Sequence, residues 1–314
     1  MFTRIKSSRL AIRKNTHVPA QAQSENKIMS EELNSRVKAD FSKARFKSFI
    51  NQVFAVLSRQ PTNLLSYDEI KEKLHIGGPI YRGVKTVRVD QIAGSLNRYH
   101  EFDRAFLPKE DQLANRWQKV DRAFYQEVHL PPIVLYKVGE VYFVVDGHHR
   151  VSVAREQGQE FIEAEIRECA TRVNITPNIK TEDLEILGTK VRFLERTALD
   201  DIRPEANINI TIPDGFERML EHIAVHRYFM GLDLQRDITE QEAVAHWYDK
   251  VYMPIIEVIR KSNILKGFPD KTEGDMYMWT LDHQHYLSKE QGKPLQPPHE
   301  AARKFVKKGN DSNV

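Results

Sequence analysis

The chain has 314 residues, 40 % of them apolar and 29 % charged, enough to bury a core as one large domain or two ordinary ones. No apolar run approaches the roughly 18 residues of a membrane span, and a single cysteine, Cys169, excludes a disulfide scaffold and a cysteine-based zinc finger. The formal charge of +3 implies no polyanionic partner by itself, but residues 1–47 hold eleven Lys/Arg against four Asp/Glu, a local +7 that leaves −4 for the remainder.

Residues 1–24 contain Arg4, Lys6, Arg9, Arg13 and Lys14 and no acid before the chain turns polar. Without the continuous apolar core of a secretory signal, this stretch reads as a solvated disordered arm, a transit segment or a phosphate-binding arm. Ser30-Glu31-Glu32 is a helix start. Phe41, Phe46, Phe49, Ile50, Val53 and Leu57 then recur at helical spacing up to Pro61, a stripe expected to dock against the body of the protein. Tyr67–Leu74 predicts a short helix before Gly77-Gly78-Pro79.

The period then changes. Val84–Val89 reads as a strand, residues 97–129 as helical with Pro108 as an interruption, and Ile133–Val138 with Val141–Val145 as a hairpin turned at Gly139-Glu140. A helix over His148–Gln157 closed by Gly158 and a strand over Phe161–Ile166 complete a mixed α/β module. Beyond it, helices are expected at Glu182–Leu194 and Phe216–Phe229, with an isolated strand at Ile208–Ile212 between them. A helix at Glu240–Ile259 is kinked by Pro254, and another is started by a capping box at Thr272–Asp275. The tail from Gly292 is polar and basic.

The sharpest feature is Val141-Tyr142-Phe143-Val144-Val145-Asp146-Gly147-His148-His149-Arg150. A buried strand feeding a glycine turn and then a helix leaves backbone N–H groups converging on one place, where they favour an anion such as phosphate. His148, His149 and Arg150 add donors there, and an arginine can hold phosphate in a fork. Asp146 is either the helix cap or a group for Mg²⁺ or nucleophilic chemistry. The two adjacent histidines diverge by about 100° on a helix, which makes them a poor chelating pair. Asp282-His283-Gln284-His285 is likewise a poor metal set, since its histidines face nearly opposite ways.

Asp146-Gly147-His148-His149-Arg150, with the hairpin before it, Ala154 and Gly158 after it and Val89-Asp90-Gln91-Ile92 upstream, resembles the signature of the ParB/sulfiredoxin superfamily over residues 84–170. Gly94-Ser95 through Arg98, Phe102-Asp103-Arg104, Phe106-Leu107-Pro108 and Arg116-Trp117, together with Phe268–Glu273, resemble bacterial ParB-like proteins across most of the chain. His148 stands where sulfiredoxins carry cysteine, which argues against sulfinic-acid reduction. The Gly-His-His-Arg run also departs from the Gly-Glu-Arg-Arg of partitioning proteins. It is nearest to the Asp-Gly-His-Thr-Arg of the free-serine kinases.

The resemblance implies an α+β fold: a ParB/sulfiredoxin-like nucleotide-binding domain at 84–170. It is flanked by a basic disordered arm at 1–29, a helical region at 30–83, a mainly helical domain at 171–292 and a basic flexible tail at 293–314. It implies an NTP-dependent phosphotransferase or hydrolase with ATP or CTP and Mg²⁺ as cofactors. Asp146, His148 and Glu101 would be the catalytic residues, Asp146 also the metal ligand, and Gly147, His148, His149, Arg150, Ser95 and Arg98 would hold the nucleotide. Glu101, Asp103, Arg98 and Arg104 follow the first strand closely enough to reach the turn, although a solvated ion pair would explain them equally well. The alternative is a nucleotide-gated DNA-binding regulator that uses the basic arm, against which stands the lack of a recognisable helix-turn-helix after residue 170. A third reading makes the carboxy-terminal helices a docking surface beside a vestigial site. The expected setting is cytoplasmic, with no membrane partner and with a homodimer open.

Overall fold

A computed structural model of the chain describes residues 20–58, 62–291 and 298–311. The long helix α1 (Ala20–Ser58) leads into a two-residue strand β1 (Leu65–Ser66) and helix α2 (Tyr67–Lys73). The Ser66 hydroxyl caps α2 by accepting from the Glu69 amide. Strand β2 (Pro79–Arg88) follows, then β3 (Ile92–Ser95), α3 (Ala114–Tyr125), the hairpin β4 (Ile133–Val138) and β5 (Val141–Asp146), helix α4 (His148–Glu156) and β6 (Phe161–Cys169).

These strands form one mixed six-stranded sheet in the order β1-β3-β5-β4-β6-β2. The β1/β3, β3/β5 and β4/β6 pairs are parallel, and the β4/β5 and β2/β6 pairs are antiparallel. Period-2 alternation gives the sheet two apolar faces. Ile133, Leu135, Val144 and Ile166 lie under Phe41 of α1, Trp117 of α3 and Val151 of α4. Val138, Val141, Phe143 and Cys169 face the other way, into the core shared with the carboxy-terminal helices. The α+β architecture is therefore the one expected, and Cys169 is a buried core residue whose thiol is pushed up by that burial.

The carboxy-terminal half comprises α5 (Thr181–Thr197), α6 (Leu199–Ile202), α7 (Gly215–Leu234), α8 (Glu240–Trp247), α9 (Met253–Ser262), α10 (Glu273–Gln291) and α11 (Pro298–Asp311). The expected single helix over 240–259 is two helices joined by a π-helical turn at Tyr248–Tyr252, and Pro254 sits in the first turn of α9, where its missing N–H costs nothing. The capping box at Thr272 forms: the Asp275 amide donates to the Thr272 hydroxyl, and the Thr272 amide donates to the Asp275 carboxylate.

Five further expectations change. Helix α1 begins at Ala20, ten residues before the expected start at Ser30. Only α3, preceded by a 3-10 turn, is helical within 97–129, because Asn97 and Phe106 take positive φ values that break a helix. The segment Ile208–Ile212 is not a strand, although Ile208 and Ile210 are buried. Residues 298–311 form a helix whose Ala302 and Val306 enter the core, so this part of the tail is docked. Finally, α1 docks through Val37, Phe41, Ala44 and Ser48, while Phe46, Phe49, Val53 and Leu57 of the expected stripe remain exposed. The basic residues before Ala20 lie outside the described residues. Among the described residues no helix is long and apolar enough to cross a membrane.

Candidate functional site

Two close approaches place the site. Gly94 in β3 lies so near β5 that a Cβ there would fall 2.1 Å from the Phe143 ring. Gly147 has φ +104°, and its Cβ would fall 2.4 Å from Ile133 Cγ2, so only glycine makes this turn from β5 into α4. Gly147 is the N-cap of α4, with no side chain capping the helix. The amides of its first turn therefore face whatever occupies the turn, at the positive end of a nine-residue helix.

The two adjacent histidines have different fates. His148 is 5 % exposed, and its Nε2 lies 2.8 Å from the hydroxyl of Ser95, which is itself fully buried. The Ser95 hydroxyl also lies 3.2 Å from the Leu96 carbonyl, and its oxygen accepts from the Arg98 amide at 3.1 Å. The Ser95–His148 contact thus ties β3 to the start of α4.

His149 is buried to 9 % exposure with neither Nδ1 nor Nε2 partnered. Burial pushes both imidazoles down to about 4, and the positive charge of Arg98 acts in the same direction on each, joined at His149 by Arg116. At neutral pH the pair is therefore uncharged. Phe102 stacks near His148 at 6.1 Å and meets His149 edge-on at 5.6 Å, packing an apolar ring against both.

The remaining expected residues are distributed around this pair. Arg98 and Glu101 pair at 3.3 Å, each about one-third exposed. Asp146 does not cap α4; its carboxylate pairs with Arg150 at 2.6 Å and is 73 % exposed. Arg150 also bonds the Pro131 carbonyl and lines a cavity of about 530 Å³ with Phe124, Pro131 and Phe161, so its guanidinium serves the β4 side of the turn. Asp103 is buried and accepts from the Ala105 and Leu107 amides and from Asn51, which makes it the pivot of the 102–108 loop.

Sequence reasoning did not assign a part in the pocket to Phe102 or Arg116, and it missed Ser152, whose hydroxyl accepts from the Trp117 indole at 2.9 Å and ties α3 to α4. The positions of Ser152 and Trp117 are visible in the sequence, but their meeting depends on how α3 crosses α4. Chemically, the arrangement offers the uncharged His149 imidazole, uncapped amides and the Arg98 guanidinium to a group that brings its own negative charge.

No family model matches the chain, and no curated protein matches it. Among solved structures, a Pnob8-like ParB-N domain in a C2221 crystal form is similar to it at 10 % sequence identity, covering 73 % of this chain and 98 % of that one with a TM-score of 0.20. This is a weak likeness to a ParB-type fold, and at that superposition it carries no argument about the site.

Proposed function

We propose that the turn Gly147–His149 binds the phosphates of a nucleoside triphosphate and that the chain is an NTP-dependent phosphotransferase or hydrolase. The observation that carries this reading is His149: a buried imidazole with two unpartnered nitrogens, at the uncapped start of α4 and within the field of Arg98 and Arg116. An imidazole left so is under-satisfied by about 1–3 kcal/mol, which a phosphate oxygen accepting its N–H would offset. The resemblance of Asp146–Arg150 to the ParB/sulfiredoxin signature supports the same ligand.

The residues fit a phosphate chain through the α4 amides, the His149 N–H and Arg98. They fit Mg²⁺ through Asp146, with phosphate and water as its other ligands, since among the described residues no three His, Cys, Asp or Glu side chains come together. The bound triphosphate would supply the activated phosphoryl group. Glu101, held by Arg98, would take the proton of the attacking hydroxyl or water, and His149 would donate to the phosphoryl oxygens as charge develops. His148 and Ser95 act beneath them as positioning residues.

The test is a thermal-shift panel with ATP, ADP, CTP and GTP, each with and without Mg²⁺, on the wild type, Arg98→Gln and His149→Gln. A ligand bound only by the folded chain raises Tm by mass action. Stabilisation by one nucleotide that both variants lose supports the site, and no shift with any nucleotide refutes it.

A further inference from the structure

About two turns down α4 from the histidines is a second, separate cavity of about 390 Å³, lined by Asp90, Ala93, Arg104, Arg155, Asn178 and Lys180. It lies where the sheet module meets the segment that leads into α5, and three of its lining residues are cationic.

The charges here are unbalanced. Arg155 gives Nη2 to the carbonyls of both Val89 at 2.9 Å and Ile92 at 2.6 Å and Nη1 to the Arg104 carbonyl at 3.5 Å, and its Nε is buried without a partner. Arg104 gives one nitrogen to the Ile179 carbonyl at 3.1 Å. Among the described residues no carboxylate hydrogen-bonds either guanidinium. The nearest acids are committed elsewhere: Asp90 is held in a fork by Arg88 at 2.6 and 3.1 Å, and Asp103 is saturated by amides of its own loop and by Asn51. Burial holds both arginines below their ordinary range, and for Arg104 no opposing charge offsets it.

If the two arginines only stapled loops, their bonds to neutral carbonyls would leave two guanidinium charges and Lys180 facing a recess whose one lining carboxylate, Asp90, is already paired with Arg88; Asp90 and Asp103 act on Arg155 from beyond hydrogen-bond distance, and no carboxylate acts on Arg104. That is the arrangement that burial penalises most. An anion seated between them would offset the charge of the buried Arg155 and bond the free edge of Arg104, while Lys180 at the exposed mouth would meet its outer oxygens. The planar fork of arginine suits a tetrahedral oxyanion, and the cavity exceeds a bare ion, leaving room for a small organic body. We infer that this recess is a phosphate-binding site, distinct from the α4 turn, for inorganic phosphate or a small phosphate monoester. Because its walls come from β3, the 102–108 loop, α4 and residues 177–180, an occupant joins the sheet module to the start of the helical half.

Equilibrium dialysis of the full chain against labelled inorganic phosphate, in chloride buffer at constant ionic strength, tests the inference. A bound phosphate whose affinity is weakened at least tenfold in Arg104→Gln and in Lys180→Gln is expected, and it persists at one per chain in Arg98→Gln, which removes any phosphate held at the α4 turn. Lys180 is exposed, so its substitution keeps the test valid if Arg104→Gln does not fold. Displacement by ribose 5-phosphate but not by ribose would assign the site to monoesters, and displacement by neither to the inorganic ion. No saturable uptake, uptake indifferent to the Arg104 and Lys180 changes, or uptake lost in Arg98→Gln would each overturn the inference. The last would move the phosphate to the α4 turn. Failure of the nucleotide panel leaves this result standing, because the two sites share no side chain.

Discussion

Acidification should weaken the fold through the buried histidine pair, by an amount that a single substitution can isolate. His148 and His149 titrate near 6.5 in an unfolded chain and near 4 in the folded one. Between those values the unfolded chain binds protons that the folded chain refuses. The stability is therefore complete above about pH 6.5 and is lost as the pH falls toward 4. At about 1.4 kcal/mol per pH unit, a step from pH 7 to pH 5 removes about 2 kcal/mol for His148 and, after allowance for solvent screening, between 1 and 2 kcal/mol for His149. Asp121 works in the opposite direction. Its buried carboxyl, raised to about 6 chiefly by desolvation, favours the folded chain as the pH drops below 6 and returns about 1 kcal/mol by pH 5. The net loss from these three groups is about 2 kcal/mol. His222 and His226 are also held below the ordinary value and add to the fall, so the informative quantity is a difference between proteins. Urea unfolding of the wild type and His149→Gln at pH 7 and pH 5 should show the variant losing about 1 to 2 kcal/mol less on acidification. Equal losses in the two proteins would refute the placement of His149 as a buried, uncharged ring.

Gly147→Ala should destabilise the chain by several kcal/mol and abolish any nucleotide-induced shift, because the new Cβ meets Ile133 at a positive φ; an unchanged Tm would contradict that turn geometry. Asp275→Ala should cost about 3 kcal/mol or more in chemical denaturation, since the fully buried carboxylate accepts from the Thr211 amide, the Thr211 hydroxyl and the Thr272 amide, all within 2.9 Å. Trp117→Phe should cost about 1–3 kcal/mol by orphaning the Ser152 hydroxyl and opening space between α3 and α4, and adding Ser152→Ala should recover part of that loss. If the basic arm carries DNA, deletion of residues 1–26 should remove a salt-dependent gel shift while leaving Tm in place, because among the described side chains of α1 the buried ones begin at Val37.

What the sequence made legible was local. The hairpin turned at Gly139 and the strand–glycine–helix run through Gly147 are written in neighbouring residues, because both depend on φ values that glycine alone takes without strain. The misreadings were tertiary. Ile208–Ile212 alternates like a strand, yet the Thr211 amide is claimed by Asp275 and the Asn209 carbonyl by the Thr272 hydroxyl, so the ladder bonds a strand needs are spent on the start of α10. In α1 the eye follows the large residues Phe46, Phe49 and Val53, whereas the docked face is Val37, Phe41, Ala44 and Ser48, whose small members let α3 approach. The arginine recess was illegible because its walls come from three separate stretches of the chain, at 90–104, 155 and 177–180, and only the fold shows that Arg155 hydrogen-bonds carbonyls and no acid.

The divergence of about 100° between adjacent helical side chains, which counts against His148 and His149 as metal ligands, is what gives each a separate task. The first ring turns into the sheet, where its Nε2 meets the Ser95 hydroxyl; the second keeps both nitrogens unspent beside Phe102. Substituting the first should therefore disturb stability and site geometry together. On the proposed function, substituting the second by glutamine should spare the fold at neutral pH and remove the nucleotide-induced rise in Tm, and a variant that kept that rise would take His149 out of the site.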